Sequence, residues 1–332
     1  MELNDSSYAA FNLKSFANIY RYPGIYDKAI SYQKKALNLQ KARGDMDGIQ
    51  DAYSNLGFIY KEMNMLQEST HYLKRAIEIS ESIQKNYRYI MHLREELGLA
   101  YLYSGDYNRF IIELDKFSQI QDSLGFKFSL SYTYLAYGWS YIRMGNYDKA
   151  SEKMSEIDFD LVNETNDPEY LTDYFTHLGI LHFQQNRYKM ALKYFEKAAN
   201  LRSKEENYSE LKNLNTFDFG SLDFDLIIYQ SLCKKYLNQE FDLQNLLKHI
   251  EKVNTLGDFP IHRQYVPGNR LLSPYLYFIN FGLYQLLDDI SYLEMAYKQI
   301  KDKTNNLDPD ATKMLLNYPI PKAIVEEWEK VK

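Results

Sequence analysis

Cysteine, proline and glycine are scarce in this sequence, and each scarcity narrows the kind of protein it can encode. The one cysteine among 332 residues is Cys233. No disulfide can therefore form within the chain, which fits a reducing compartment. Eight prolines and 14 glycines fit a mostly helical chain. We therefore expect an α-helical protein that resides in the cytoplasm.

The sequence also lacks an excess of positive charge and a long hydrophobic run. Its net charge is −6, and Lys and Arg are scattered among Asp and Glu. The basic stripe that is typical of nucleic-acid-binding proteins is therefore missing. The most apolar stretch, residues 275–287, is shorter than the ~20 residues that cross a bilayer, and the first residues do not resemble a signal peptide. We expect neither nucleic acid nor a membrane as a partner.

Motifs that carry chemistry are absent as well. The sequence has no G-x-x-x-x-G-K-[ST] loop, no G-x-G-x-x-G turn and no H-E-x-x-H pair. His177 and His182 are five residues apart, whereas one helical face requires a spacing of three or four. Cys233 stands where a small buried residue is expected, which favours a structural thiol over a nucleophile. We predict no enzymatic activity, no catalytic residue, no metal and no cofactor.

What the sequence does have is an internal repeat. A small residue recurs in a helix-forming segment with spacings of 40, 41, 40 and 41, at Ala17, Gly57, Gly98, Gly138 and Gly179. Each segment is followed by a turn and by a second helix-forming segment. Repeats of this length are typical of helical solenoids. The pattern predicts five helix hairpins whose two helices approach closely at the small residues.

The third hairpin departs from this pattern on its second helix. Phe110 stands there in place of a small residue. We expect the two helices of that hairpin to lie slightly further apart than in the other four.

The fifth hairpin carries the fullest pattern, with an apolar residue and Gly on the first helix and Ala, Phe and Ala on the second, at Leu178, Gly179, Ala191, Phe195 and Ala198. At these residues the chain resembles the tetratricopeptide repeat family, whose usual period is about 34 residues, and in particular its longer variant of about 40. The resemblance implies an all-α, right-handed superhelical solenoid of antiparallel helix hairpins, with five clear repeats and two degenerate ones.

After the fifth hairpin the repeat loses its spacing of about 40 residues, and this change divides the chain into three parts. Residues 1–205 are predicted to form the regular array, 206–227 a linker or insertion, and 228–332 degenerate hairpins with C-terminal capping helices. The acidic and aromatic segment 213–225 has three readings: a surface insertion, a cation-binding loop, or an internal ligand for the protein's own groove. The segment 314–328 is interpreted either as an end cap or as similar to the closing segment of large signalling kinases and cyclases.

The family binds extended peptides along the first helices of its hairpins. Carried onto this chain, the resemblance assigns a ligand groove to ten residues: Lys14, Asn18, Arg21, Asn55, Phe58, Lys61, Tyr132, Trp139, Thr176 and His177. The amides of Asn18 and Asn55 can hold a peptide backbone by donor and acceptor together; the alternative for Asn55 is a solvated polar residue without a ligand. His92 and Glu96 replace the basic residues of the family's carboxylate clamp, which disfavours binding of a peptide C-terminus.

The aromatic groove positions have two readings. Phe58, Tyr132 and Trp139, together with Phe183, either pack between neighbouring hairpins or form an apolar floor for a partner's side chains. The sequence does not decide between them.

The favoured function is a scaffold that binds a protein or an extended peptide in its concave groove. The alternative is a regulatory sensor module, or the C-terminal part of a larger bacterial signalling protein such as a peptide receptor or a kinase or cyclase arm. The oligomeric state is left open.

Overall fold

The computed structural model describes residues 2–165, 167–205, 222–244, 246–247, 276–305 and 307–332. Almost all of them are helical, and none of them forms a β-strand. The helices are α1 (Glu2–Arg21), α2 (Tyr26–Arg43), α3 (Met46–Glu62), α4 (Leu66–Ser82), α5 (Tyr87–Ser104), α6 (Tyr107–Ser123), α7 (Lys127–Met144), α8 (Tyr147–Ser155), α9 (Phe159–Thr165), α10 (Pro168–Gln184), α11 (Tyr188–Glu205), α12 (Leu222–Tyr236), α13 (Leu276–Leu287), α14 (Ile290–Thr304), α15 (Pro309–Asn317) and α16 (Pro319–Val331).

Consecutive helices pair into antiparallel hairpins, so the predicted all-α solenoid of helix hairpins is confirmed. The chain divides into two compact units. Of the described residues, unit 1 contains 2–120, 305 and 307–311, and unit 2 contains the others. No helix in the described part of the chain is long and apolar enough to cross a membrane.

The turns fall where the sequence places its helix-breaking residues. Gly105 and Gly145 follow α5 and α7 with φ of 83° and 78°. Asn64, Asn186 and Asp288 take the same left-handed conformation with φ between 56° and 59°. Gly adopts this conformation without strain and Asn and Asp tolerate it, whereas other side chains rarely do. Each such residue ends a helix and lets the chain turn back.

Side-chain caps fix the starts of several helices. The carboxylate of Asp45 accepts a hydrogen bond from the backbone N–H of Gly48, at 2.9 Å. Asp167 caps α10 in the same way through the N–H of Tyr170, at 3.1 Å, and Pro168 occupies the first turn. Pro lacks the N–H that this first turn leaves unpaired, so it begins a helix at no cost. The predicted cap at Asp167 is confirmed.

The two helices of a hairpin meet at the small residues of the repeat. A Cβ atom at Gly57 would lie 2.7 Å from Cγ of Leu73 on α4. At Gly179 it would lie 2.4 Å from the ring of Phe195 on α11. Leu73 and Phe195 are fully buried. These contacts leave no room for a side chain, and the first helix is therefore held directly against the second.

More room exists at Gly98 in the third hairpin. A Cβ atom there would lie 3.3 Å from the ring of Phe110. This is the hairpin in which Phe110 replaces a small residue, and a wider separation was expected there.

The later part of the chain is described only in pieces. The predicted linker 206–227 stays a prediction, because residues 206–221 lie outside the described residues, while 222–227 begin α12. The predicted sixth hairpin and the Pro-rich segment 255–274 also fall largely outside them. A seventh pair was predicted, with a turn at residues 288–289, and α13 and α14 confirm it.

We predict that Gly179→Ala destabilises the protein and that Gly98→Ala does not. Alanine gains about 1 kcal/mol of helix propensity at either position. At Gly179 this gain is outweighed by overpacking against the buried ring of Phe195, at about 1–3 kcal/mol. Urea unfolding should show Gly179→Ala less stable than wild type by up to about 2 kcal/mol, with Gly98→Ala equal or better. Equal stability of the two variants would contradict the packing argument.

Candidate functional site

The first helices of the three hairpins of unit 1 are joined by ion pairs on their predicted groove face. Lys14 on α1 contacts Asp51 on α3, with Nζ 2.8 Å from Oδ2. Arg21 on α1 forms a two-pronged pair with Glu62 on α3, and its Nε lies 2.9 Å and 3.0 Å from the two carboxylate oxygens. A further pair joins Lys61 on α3 to Glu96 on α5. The three predicted groove cations are thus each neutralised by the next helix.

The two amides predicted to hold a peptide backbone lie between these ion pairs. Asn18 is one turn after Lys14 and one turn before Arg21, so it stands between the two bridges that tie α1 to α3. Asn55 lies on α3 between the acids of the same two bridges, one turn after Asp51 and two turns before Glu62. Both amides are therefore on stretches of α1 and α3 that these two bridges join.

Both amides are available for a ligand. Asn18 and Asn55 are half-buried, and neither side chain makes a hydrogen bond within the structure as it is described. A side-chain amide offers two donors and one acceptor group, which matches the alternating groups of an extended backbone. The nearby Lys and Arg side chains have ion-pair partners, whereas these amides make no hydrogen bond in the described structure.

Phe58 lies beside this pair of amides and is only partly covered. Its ring centre is 5.7 Å from the guanidinium carbon of Arg21 and 5.6 Å from the ring of His92 on α5. The side chain is half-buried, so the ring both packs between hairpins and keeps an exposed part. Hydrogen bonding to Glu95 raises the pKa of His92, which favours its protonated form beside the ring.

The charges on this face balance one another. The side chains of Lys14 and Asp51 are each about two-fifths exposed. Their ion pair therefore contributes no more than about 1 kcal/mol to the stability of the fold. Because each cation has an acidic partner, the face offers a nearly neutral strip of amides and one aromatic ring. It does not form a cluster of one charge sign.

In unit 2 the structure corrects the sequence-based assignment. Trp139, Thr176 and His177 are buried, with 4%, 0% and 0% of their surfaces exposed. They pack within unit 2 and present no surface to a ligand. A repeat pattern places a residue on one helical face, and it does not show whether another element covers that face.

Tyr132, the fourth predicted residue in unit 2, is half-buried and bonded. Its hydroxyl donates a hydrogen bond to the carboxylate of Asp167 at the start of α10. Burial is the largest cause that raises the pKa of this phenol, and the bond to Asp167 adds to it. Tyr132 therefore ties α7 to α10 and is a structural contact in this unit. Phe183 is likewise packed, with its ring centre 5.0 Å from that of Tyr229.

A buried ion pair in unit 2 was not foreseen from the sequence. Arg143 on α7 contacts Asp225 on α12, with Nη2 3.0 Å from Oδ2, and both side chains are nearly inaccessible to solvent. The guanidinium carbon of Arg143 also lies 3.7 Å from the ring centre of Phe278 on α13. Burial outweighs the guanidinium and raises the pKa of Asp225. A single buried arginine gives no periodic signal, so the pattern could not reveal it.

The position of Asp225 bears on the three readings of segment 213–225. The described part, from Leu222 onward, is helical, and Asp225 pairs with an arginine. Among the residues that are described, no group of three His, Cys, Asp or Glu side chains could hold a metal. Residues 213–221 lie outside that part. Cys233 on α12 is fully buried, and burial raises the pKa of its thiol to about 12, which makes it the unreactive structural thiol that was predicted.

We predict that His177 makes unit 2 sensitive to acid. Its Nδ1 bonds to the carbonyl of Asp173 at 2.7 Å, and burial lowers its pKa from 6.5 to about 3. The unfolded chain takes up this proton near pH 6.5 and the folded chain only near pH 3. The free energy of unfolding therefore falls as the pH drops below 6.5, by about 2 kcal/mol at pH 5.

The variant His177→Asn keeps a donor near Nδ1 but does not titrate. Urea unfolding at pH 7 and pH 5 should show about 2 kcal/mol less loss in this variant than in wild type. His71→Asn, at an exposed position on α4, serves as the control and should lose as much as wild type. If both variants behave alike, His177 does not cause the acid sensitivity.

Comparison with known proteins agrees with this architecture. Residues 50–83 and 171–205 each match the tetratricopeptide repeat pattern. Tetratricopeptide repeat protein 29 of Trypanosoma brucei brucei is 32% identical over 103 residues. That match covers 30% of this chain and 21% of the relative, so the chain spans about a fifth of that relative's length.

Solved structures share the fold at low sequence identity. RapI in its apo form superposes with a TM-score of 0.64 at 14% identity, over 90% of this chain and 99% of RapI. A STAND protein from Pyrococcus horikoshii with a tetratricopeptide repeat sensor superposes with a TM-score of 0.53 at 20% identity, over 97% of this chain and 44% of that protein. NprR in complex with its cognate peptide NprX superposes with a TM-score of 0.51 at 14% identity, over 92% of this chain and 84% of NprR.

The repeat matches, the relative and the hairpin architecture lead to the same conclusion. The chain contains tetratricopeptide repeats, at residues 50–83 and 171–205.

Proposed function

We propose that this protein is a scaffold that binds an extended peptide segment of a partner protein on the first-helix face of unit 1. The observation that carries the proposal is the pair of unengaged amides, Asn18 and Asn55, set between ion pairs that occupy every neighbouring cation. An extended backbone needs donors and acceptors at regular spacing, and these amides supply both.

The rigidity of the face supports this role. Asp51, Glu62 and Glu96 fix the side chains of Lys14, Arg21 and Lys61 across neighbouring helices. A site whose residues are already ordered loses less conformational entropy when a ligand binds. The ion pairs contribute here by holding the α1, α3 and α5 face in shape.

The ligand side chains that suit this face are apolar or aromatic. Phe58 provides a partly exposed ring within reach of the amide pair. Aromatic anchors of this kind tend to dominate binding energy at interfaces. Because the nearby cations are neutralised, a strongly charged peptide gains little, and binding should depend only weakly on salt concentration.

The peptide-bound state of NprR supports the proposal at the level of architecture, because that neighbour of similar fold binds a peptide. The regulatory-sensor hypothesis uses the same surface, since a sensor of this kind would take peptide binding as its input. The proposed site therefore serves either role.

The test is a peptide-display selection on the purified chain, followed by calorimetry with the selected peptides. Replacing both amides, in Asn18→Asp with Asn55→Asp, removes a donor at each position and adds two charges. We expect the affinity to fall at least tenfold, or by about 1.4 kcal/mol. Wild-type affinity should change little when the salt concentration is raised.

The matched control is Asn38→Asp, because Asn38 is exposed on α2, the second helix of the first hairpin. It should bind like wild type. Retained affinity in the double variant would place the site elsewhere and contradict the proposal. A steep loss of affinity with salt would contradict the neutral character of the face.

A further inference from the structure

One face of α1 carries large apolar side chains in contact with solvent. Tyr8, Phe11, Ile19 and Tyr22 are each 60% to 69% exposed. Together with Ser15 they recur at intervals of three, four, four and three residues, so the five form one stripe along the helix. We call these five residues the α1 stripe. Scattered exposed apolar residues are ordinary, but a continuous stripe of this size marks an interaction surface.

The repeat itself shows that part of this face is built for burial. Ile19 of α1 corresponds to Ile59 of α3 and to Ala100 of α5, which are 1% and 0% exposed. In α3 this position is buried, and α3 packs against α2, the second helix of the preceding hairpin. Among the described residues no helix covers the same position of α1.

The order of residues in the α1 stripe indicates which molecule covers it. Ser15 is at the centre, Phe11 and Ile19 lie four residues to either side, and Tyr8 and Tyr22 lie seven residues to either side. The stripe therefore has the same pattern of sizes in both directions along the helix. If a second α1 is laid against it in antiparallel orientation with the two-fold axis at Ser15, Phe11 lies beside Ile19 of the other copy, and Tyr8 beside its Tyr22.

The small residue at the centre suits such a crossing. Ser15 lets two helix backbones approach closely where they cross. Its hydroxyl already donates a hydrogen bond to the carbonyl of Phe11, at 3.0 Å, within its own helix. Covering Ser15 therefore leaves no unpaired donor, and the usual cost of burying a hydroxyl does not arise.

Charge does not oppose the contact. None of the five residues of the stripe is charged. The nearest cation, Lys14, is directed toward α3, where it pairs with Asp51. Two copies of the stripe therefore meet without like charges facing each other.

The available area suffices for a reversible dimer. A buried aromatic side chain covers about 150–250 Å². Three aromatics about two-thirds exposed, together with Ile19, thus offer roughly 400–500 Å² per copy. Both copies together offer about 800–1,000 Å², which is the size of a weak, reversible interface.

We propose that this protein forms a two-fold symmetric homodimer in which the α1 stripe packs antiparallel against its own copy, with Ser15 at the crossing. The ion pairs of Lys14 and Arg21 lie on the flank of α1 that faces α3. Asn18, three residues after Ser15 and four before Tyr22, borders the stripe, so the dimer contact adjoins one of the two proposed peptide-binding amides.

The first test is sedimentation equilibrium of the full chain over a wide range of concentration. We expect a monomer–dimer equilibrium in wild type and an increase of at least tenfold in the dissociation constant for Ile19→Lys. Ile112→Lys is the matched control, since Ile112 is half exposed on α6, and it should dimerise like wild type. Both positions are exposed in the monomer, so circular dichroism should show wild-type helix content in both variants.

The second test places a cysteine at the proposed axis. Ser15→Cys should form a disulfide-linked dimer on mild oxidation, because the two copies bring their Cα atoms within disulfide range only at the crossing. The native Cys233 is buried and should not react. Ser82→Cys, at an exposed position on α4, is the control and should remain monomeric after the same treatment.

Three results would overturn the proposal. They are a monomer at every concentration, a dimer that Ile19→Lys does not weaken, and equal cross-linking of the two cysteine variants. The first result would mean that the α1 stripe binds a different protein, and the other two would mean that the dimer forms through another face.

Discussion

The close approach of two helices at a glycine is the constraint on which each hairpin depends. Gly57 and Gly179 leave no space for a Cβ atom beside Leu73 and Phe195. The first helix must therefore lie directly on the second. In α1, Lys14 and Arg21 lie three residues before and four residues after Ala17, and they reach the next first helix from that same side. The groove face of unit 1 exists because each hairpin holds its first helix in this position.

The ion pairs between first helices then decide what that face can recognise. They connect α1 to α3 and α3 to α5, and they neutralise Lys14, Arg21 and Lys61. Without these acids the face would be a basic strip that attracts any polyanion. With them, the unengaged groups are the amides of Asn18 and Asn55, which we propose to bind a peptide backbone. Specificity must then come from apolar contacts such as those of Phe58.

Unit 2 uses the same repeat to a different end. Its corresponding positions are filled by Trp139, Thr176 and His177, which are buried, and α7 is tied to α12 through Arg143 and Asp225. Breaking a buried pair of this kind leaves an uncompensated charge and costs about 3–5 kcal/mol. At its groove positions unit 2 therefore has buried packing, where unit 1 has half-buried amides.

The sequence predicted the features that depend on local pattern. The repeat period, the turns at Gly105, Gly145 and Asn64, and the cap at Asp167 all follow from conformational preferences of single residues. The burial of Trp139 and His177 did not follow, because periodicity assigns a residue to a face and cannot tell which distant element covers it. The pair of Arg143 and Asp225 was missed for the same reason, since its members are 82 residues apart.

The central claim, that the first-helix face of unit 1 is the binding face, can be tested without mutation. Hydrogen exchange followed by mass spectrometry compares the chain with and without a peptide selected on it. The account predicts slower exchange in segments 11–21 and 49–62, which carry the amides, and unchanged exchange in α2, α4 and unit 2. Protection confined to the second helices or to unit 2 would contradict it.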